Sequence, residues 1–189
     1  MPPISDKRTA ILEAALRLIP RQGFHATPVS QIAEEAGVAA GSIYRYFPSK
    51  DALLNVLYLE LKHEMHRAMG KGLTPNMAFE PFFKQVWQNT FTYYATHPDA
   101  FSFIEQYATS PFLTEDSRKA GAQALQPYVE AFQQAQKEGL IQDLPLEVLF
   151  SFFLGPLTNM VKKHLTGQQV VDPNLCHQAA HATWCAIRR

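Results

Sequence analysis

The 189-residue chain is 47% hydrophobic and 18% charged, enough apolar material to fill a core without disulfides and too much for a disordered chain. Its 17 basic and 17 acidic side chains cancel, which excludes a nucleic-acid binder that is basic over its whole surface. The longest apolar run, 148–157, contains Pro156 and falls short of the ~18 residues of a membrane span; the polar start MPPISDKR lacks an apolar signal core. A soluble, cytoplasmic protein with no membrane partner is expected.

Strand signals are nearly absent, and helical periodicity broken by Gly and Pro recurs along the chain. A first helix over about 5–20 has Ser5 and Asp6 as caps and buries Ile11, Ala14, Ala15 and Leu18. Thr27 and Pro28 open a second, over about 28–36, with Thr27 as cap and Pro28 in the first position. A third short helix spans about 40–46. Ser49 caps a fourth over about 50–69, with Asp51 well placed in its first turn. Gly70, Gly72 and Pro75 mark a linker, and further helices are expected at about 77–96, 99–108, 115–138, 145–165 and 173–187. Pro127 and Pro156 should kink or divide the segments that hold them. The fold class is all-α, with about nine helices.

Charge is uneven along this order. Residues 1–50 carry six basic and four acidic side chains, a balance of +2, so the remainder sums to −2. A compact reading head on a neutral body fits that distribution. Residues 28–47, PVSQIAEEAGVAAGSIYRYF, have the layout of a helix-turn-helix. Val29, Ile32, Ala33 and Ala36 face a core, Gly37 allows a turn with positive φ, and Ile43 and Phe47 point inward at i, i+4. That leaves Ala40, Gly41, Ser42, Tyr44, Arg45 and Tyr46 on other faces. Small residues let a helix approach base edges, a hydroxyl donates or accepts, and a tyrosine can touch a thymine methyl or a phosphate. A plain helical hairpin with half-buried tyrosines would show the same spacing.

The run GFHATPVSQIAEEAGVAAGSIYRYFPSKDALL, 23–54, resembles the TetR family of one-component bacterial repressors, and the likeness extends from Lys7 to about Leu61. The resemblance implies a homodimer with an N-terminal three-helix DNA-binding domain over 1–48 and an effector-binding and dimerisation domain over 49–189, joined by the helix at 49–69. Carried over by position, Thr27 would hold a phosphate, Ala40, Gly41, Ser42 and Tyr44 would face the major groove, and Tyr46 and Lys50 would grip the backbone. Ser30 departs from the larger polar residue often found at its position, and its reach to a base is short. The implied partners are double-stranded operator DNA, palindromic like the dimer, a small hydrophobic effector and a second copy of the chain.

Half of the 22 aromatic residues fall within 79–112. Such a concentration can line a ligand cavity or simply fill a core. Tyr58, Lys62, Trp87, Phe91, Tyr107 and Phe153 are the candidate effector contacts, and the set Tyr58, Lys62, Trp87 and Phe153 is similar to that of the family's multidrug-sensing branch. Lys62 would pair an acidic ligand or snorkel to water. The stripe Leu146, Leu149, Phe153, Leu157 and Met160, with Leu175, Ala179, Ala182 and Ala186, offers the last two helices as a dimer interface or as core.

A metal- or redox-responsive regulator is the alternative, because His177 and His181 stand at i, i+4 with Cys176 and Cys185 nearby. No carboxylate completes the set, so no metal site and no cofactor are expected. Nothing resembles a nucleotide loop, a Ser-His-acid arrangement or an HExxH sequence, and no enzyme is expected.

Overall fold

The computed structural model describes residues 4–189, with side chains from Lys7 onward. Among these residues there are ten helices: α1 (Ile4–Gln22), α2 (Val29–Glu35), α3 (Ala40–Ile43), α4 (Lys50–Met69), α5 (Phe79–Thr96), α6 (Pro98–Tyr107), α7 (Glu115–Gln123), α8 (Gln126–Lys137), α9 (Leu146–Leu165) and α10 (Pro173–Ile187). Ile141 and Arg188 form an isolated antiparallel bridge, and no strand occurs among the described residues. No described helix is long and apolar enough to cross a membrane.

Ten helices stand where nine periodic segments are read, because Pro127 divides 115–138 into α7 and α8. It sits in the first turn of α8, where its missing N–H would have no partner in any case. Pro156 is tolerated inside α9 on an exposed face, where the Phe152 carbonyl it leaves without a donor can be hydrated. Ser49 caps α4 as read, its Oγ accepting the Ala52 N–H at 3.0 Å. Ser5 and Asp6 lie within α1 rather than before it, and their side chains fall outside the described residues. Thr27 does not cap α2. It is enclosed, its hydroxyl donates to the Gly23 carbonyl at 2.9 Å, and Pro28 holds the cap position with no side-chain bond. α3 is regular only to Ile43; residues 44–46 continue as turns, with Tyr46 and Phe47 N–H groups both reaching the Ile43 carbonyl at 2.9 Å.

The chain forms two compact units, one of residues up to His63 with 99–121, the other of 64–98 with 122–189. In the first, α1 packs on α2 and α2 on α3 around Ile11, Ile19, Ile32, Ile43, Phe47 and Leu53. Arg17 ties α1 to Glu35 of α2 at 2.8 Å, and Arg8 ties it to Glu60 of α4 at 2.7 Å. In the second, α5 packs against α9 and α10, and α8 against α9. Phe83 is its centre, with ring centroids of Phe132, Phe153 and Trp184 at 5.9, 5.2 and 5.7 Å. Leu149, Phe153 and Leu157 are buried here, inside their own chain. The side of α9 that faces outward carries Val148, Phe152 and Pro156 instead.

Candidate nucleic-acid interface

The turn between α2 and α3 is built by Gly37. Its φ of +66° lets the Val38 N–H return to the Ala33 carbonyl at 2.9 Å, a conformation that a side chain at 37 would strain. Ile32 and Ala33 from α2 and Ile43 from α3 are buried beneath it, with Phe47 closing the end. The outward residues follow from that packing. Ala40, Gly41 and Arg45 are exposed, Ser42 and Tyr46 are half-buried, and the Tyr44 side chain stands 57% exposed.

Two of these positions are hard to explain inside the protein alone. Glycine in a helix is less favourable than alanine by about 0.5–1 kcal/mol, yet a Cβ on Gly41 would meet nothing within 4 Å. An exposed tyrosine ring likewise contributes little to the fold. Both make sense where a flat partner must come close.

Charge points the same way. Arg8, Arg17 and Arg21 are paired with Glu60, Glu35 and Asp99, whereas Arg45, between the two outward tyrosines, makes no ion pair among the described residues. Arg45 is readable as an outward residue of the motif, yet the family likeness assigns it no contact. Lys50 is half-buried at the start of α4 and donates its Nζ hydrogen to the Phe24 carbonyl. That burial lowers its pKa, against a smaller opposing effect of Asp51. Thr27 keeps its hydroxyl inside the loop, on Gly23.

The same loop connects the motif to α6 within the first unit. The Phe24 ring lies 5.7 Å from Phe103, 5.2 Å from Tyr107 and 6.5 Å from Phe112, and His25 lies 5.0 Å from Phe112. Tyr107 donates its hydroxyl hydrogen to the Phe112 carbonyl at 3.1 Å. Buried Asn55 of α4 donates to that carbonyl at 3.0 Å and accepts the Thr114 N–H at 3.0 Å. Asn55 is a residue the periodicity passes over, although an amide amid Leu53, Leu54 and Leu57 is itself a signal.

The candidate effector residues divide between the units. Tyr58, Lys62 and Tyr107 belong to the first, where the Tyr58 and Tyr107 rings are 5.7 Å apart. Burial raises the pKa of both hydroxyls, and it lowers that of Lys62 to about 8. Trp87, Phe91 and Phe153 belong to the second. There Trp87 is fully enclosed, stacks on Phe91 at 6.1 Å and donates its Nε1 hydrogen to the Phe153 carbonyl at 3.1 Å.

The metal and redox alternative finds no support. Cys176 is buried, with its thiol pushed up to about 11, and Cys185 is exposed. His177 hydrogen-bonds Gln88 at 2.9 Å, and no group of three or more His, Cys, Asp or Glu among the described residues is placed to hold a metal ion.

Residues 11–57 match the family described as bacterial regulatory proteins, tetR family, and residues 79–188 match the tetracyclin repressor-like C-terminal domain. An HTH-type transcriptional regulator of Haemophilus influenzae is 25% identical over 185 residues, covering 98% of this chain and 97% of that protein. The crystal structure of a TetR-family transcriptional regulator from Haemophilus influenzae Rd, HI0893, aligns with a TM-score of 0.81 at 26% identity over 98% of both chains. That of a TetR-family regulator from Marinobacter aquaeolei VT8 aligns with a TM-score of 0.92 at 24% identity, over 97% of this chain and 96% of that one, a likeness of fold.

Proposed function

Because the chain belongs to the tetR family of bacterial regulatory proteins, we propose that it is a transcriptional repressor that binds a palindromic operator as a homodimer and is released by a small hydrophobic or aromatic effector. The observation that carries the DNA-binding half is the outward face of α3, where Gly41 has open space and Tyr44 stands in solvent. A recognition helix reads base edges in the major groove through its small and polar residues, while cations and hydroxyls hold phosphates. Ala40, Gly41, Ser42 and Tyr44 take the first role. Tyr46 and Lys50 take the second, joined by Arg45, which has no ion pair among the described residues, while enclosed Thr27 keeps its hydroxyl on the Gly23 carbonyl and shapes the loop beside them.

For the effector half, support comes from the first unit. Tyr58 and Tyr107 pack ring to ring inside the unit, Lys62 follows Tyr58 by one helical turn, and Tyr107 touches Phe24, whose carbonyl holds Lys50. A guest that displaces Tyr107 therefore disturbs the loop that positions a phosphate-binding lysine. By linkage, an effector that weakens operator binding must bind the DNA-free protein more tightly by the same factor. We place dimerisation on α9 and α10, whose outward faces carry Val148, Phe152 and Ala182.

Selection from a pool of random duplexes tests the reading. An inverted repeat should be enriched, and Tyr44→Ala should lose that preference while still binding bulk DNA. Lys50→Ala should instead weaken all sequences about equally and reduce the salt slope by about 1. No enrichment, or identical behaviour of the two variants, would overturn it.

A further inference from the structure

The second unit holds an open cavity of 270 Å³ between α5, the end of α9 and the start of α10. Its floor is apolar, formed by Phe91, Ala95, Val171 and Cys176, and Thr92, His164 and Asp172 stand around it. Asp172 is the one lining side chain with a full charge. Its Oδ1 accepts the Leu175 N–H at 2.7 Å and so caps α10, and its second oxygen has no partner among the described residues. The amides at the start of α10 would otherwise favour an anion, but Asp172 already fills that role.

The remaining polar groups do not change the sign. His164 accepts the Val171 N–H on Nδ1 at 3.2 Å, which leaves Nε2 as the ring's donor. Cys176 stays a thiol, since burial pushes its pKa up to about 11. An anionic guest would face a carboxylate with no lysine or arginine in the lining to offset it. A cationic guest would find a carboxylate oxygen with no partner among the described residues, above an apolar floor that includes the Phe91 ring.

We infer that this cavity binds a small organic cation: an ammonium group at Asp172 carried on a single ring or a similar apolar body packed against Phe91. Its 270 Å³ is below the usual range for drug-sized ligands, which limits the guest to about one ring with a short arm. Thr92 and His164 remain to orient one polar atom. Phe91 is the one residue shared with the candidate effector set, so this inference and the effector reading stand or fall separately.

Titrating the full-length protein with phenethylamine and with 3-phenylpropionate, which share a ring and arm but differ in charge, tests it. Backbone amide shifts of Val171 and Leu175 in NMR spectra are the readout. The amine should bind about tenfold more tightly at low salt, and the advantage should shrink as salt is added. Asp172→Asn keeps an oxygen cap on α10 while removing the charge, and should bring the two probes within about twofold. Ala95→Leu, which fills the floor, should abolish the amine shifts while circular dichroism stays unchanged. Equal binding of the two probes, an amine preference that survives Asp172→Asn, or no shift with either probe would overturn the inference.

Discussion

The Trp87 indole donates its Nε1 hydrogen to the Phe153 carbonyl at 3.1 Å and so fastens α5 to α9 from inside the second unit. Trp87 has no exposed surface, and it stacks almost parallel to Phe91. A side chain held in this way contributes mainly to packing, because both its faces and its polar atom are already engaged.

Trp87→Ala should therefore lower stability by about 3–5 kcal/mol in urea denaturation. Trp87→Phe keeps most of the packing and loses the hydrogen bond, with an expected loss of about 1–2 kcal/mol. A Trp87→Ala protein of unchanged stability would return Trp87 to the role of ligand wall.

Asn55 holds four polar partners at once: the carbonyls of Asp51 and Phe112, at 2.8 and 3.0 Å, and the N–H and hydroxyl of Thr114, at 3.0 and 3.1 Å. Asn55→Ala takes the partner from the Thr114 N–H and one of two donors from the Phe112 carbonyl, and should lower stability by roughly 1–3 kcal/mol. The Phe112 carbonyl also accepts from Tyr107, which contacts Phe24. Limited proteolysis of Asn55→Ala should accordingly show faster cleavage near residues 110–114 than in the parent; unchanged cleavage there would mean that the segment is held by other contacts.

The helices and the reading motif were legible because local chemistry sets them. Ser49 caps a helix through its own side chain, Gly37 adopts positive φ, and Pro127 divides the segment that holds it. Allocation of apolar stripes was not legible in the same way. Leu149, Phe153 and Leu157 have the spacing of an interface and of a core alike, and only the placement of α5 and α10 decides between them. Thr27 shows the limit for polar groups: a cap residue by type, it turns its hydroxyl to Gly23 because that carbonyl lies within reach. The division of the aromatic residues between two units is likewise a property of packing, invisible in a count.

Lys62 supplies a prediction with a defined pH window. Its pKa falls from 10.5 to about 8 because burial disfavours the ammonium form. Below pH 8 both folded and unfolded chains hold the proton, and the folded state bears the full desolvation cost. Between about pH 8 and 10.5 the folded chain has released a proton that the unfolded chain retains, so this contribution to stability rises with pH. Lys62→Met should thus have a higher urea midpoint than the parent at pH 7, and the difference should narrow toward pH 10.5. A parallel offset at every pH would assign the effect to packing rather than to the charge.

The outward face of α9 yields the test of assembly. Phe152 is 43% exposed and Leu154 is 44% exposed, so exposure alone does not tell them apart. Two residues apart on a helix, they point about 200° away from each other. Phe152 shares its flank with Val148, one turn before, and Pro156, one turn after, giving an apolar strip with open Gly155 beside it. Leu154 has half-buried Phe150 and polar Ser151 one turn before it and polar Thr158 one turn after. An apolar strip that no segment of its own unit covers is the kind of surface a second subunit buries. Phe152→Glu places a charge in that strip, where pairing with a symmetry-related copy would bring two carboxylates together. Sedimentation should then give the 21.3 kDa of a single chain, and Ala182→Glu on the outward face of α10 should act in the same direction. Leu154→Glu should leave the dimer intact. Should Leu154→Glu dissociate it while Phe152→Glu does not, the interface lies on the opposite flank of α9.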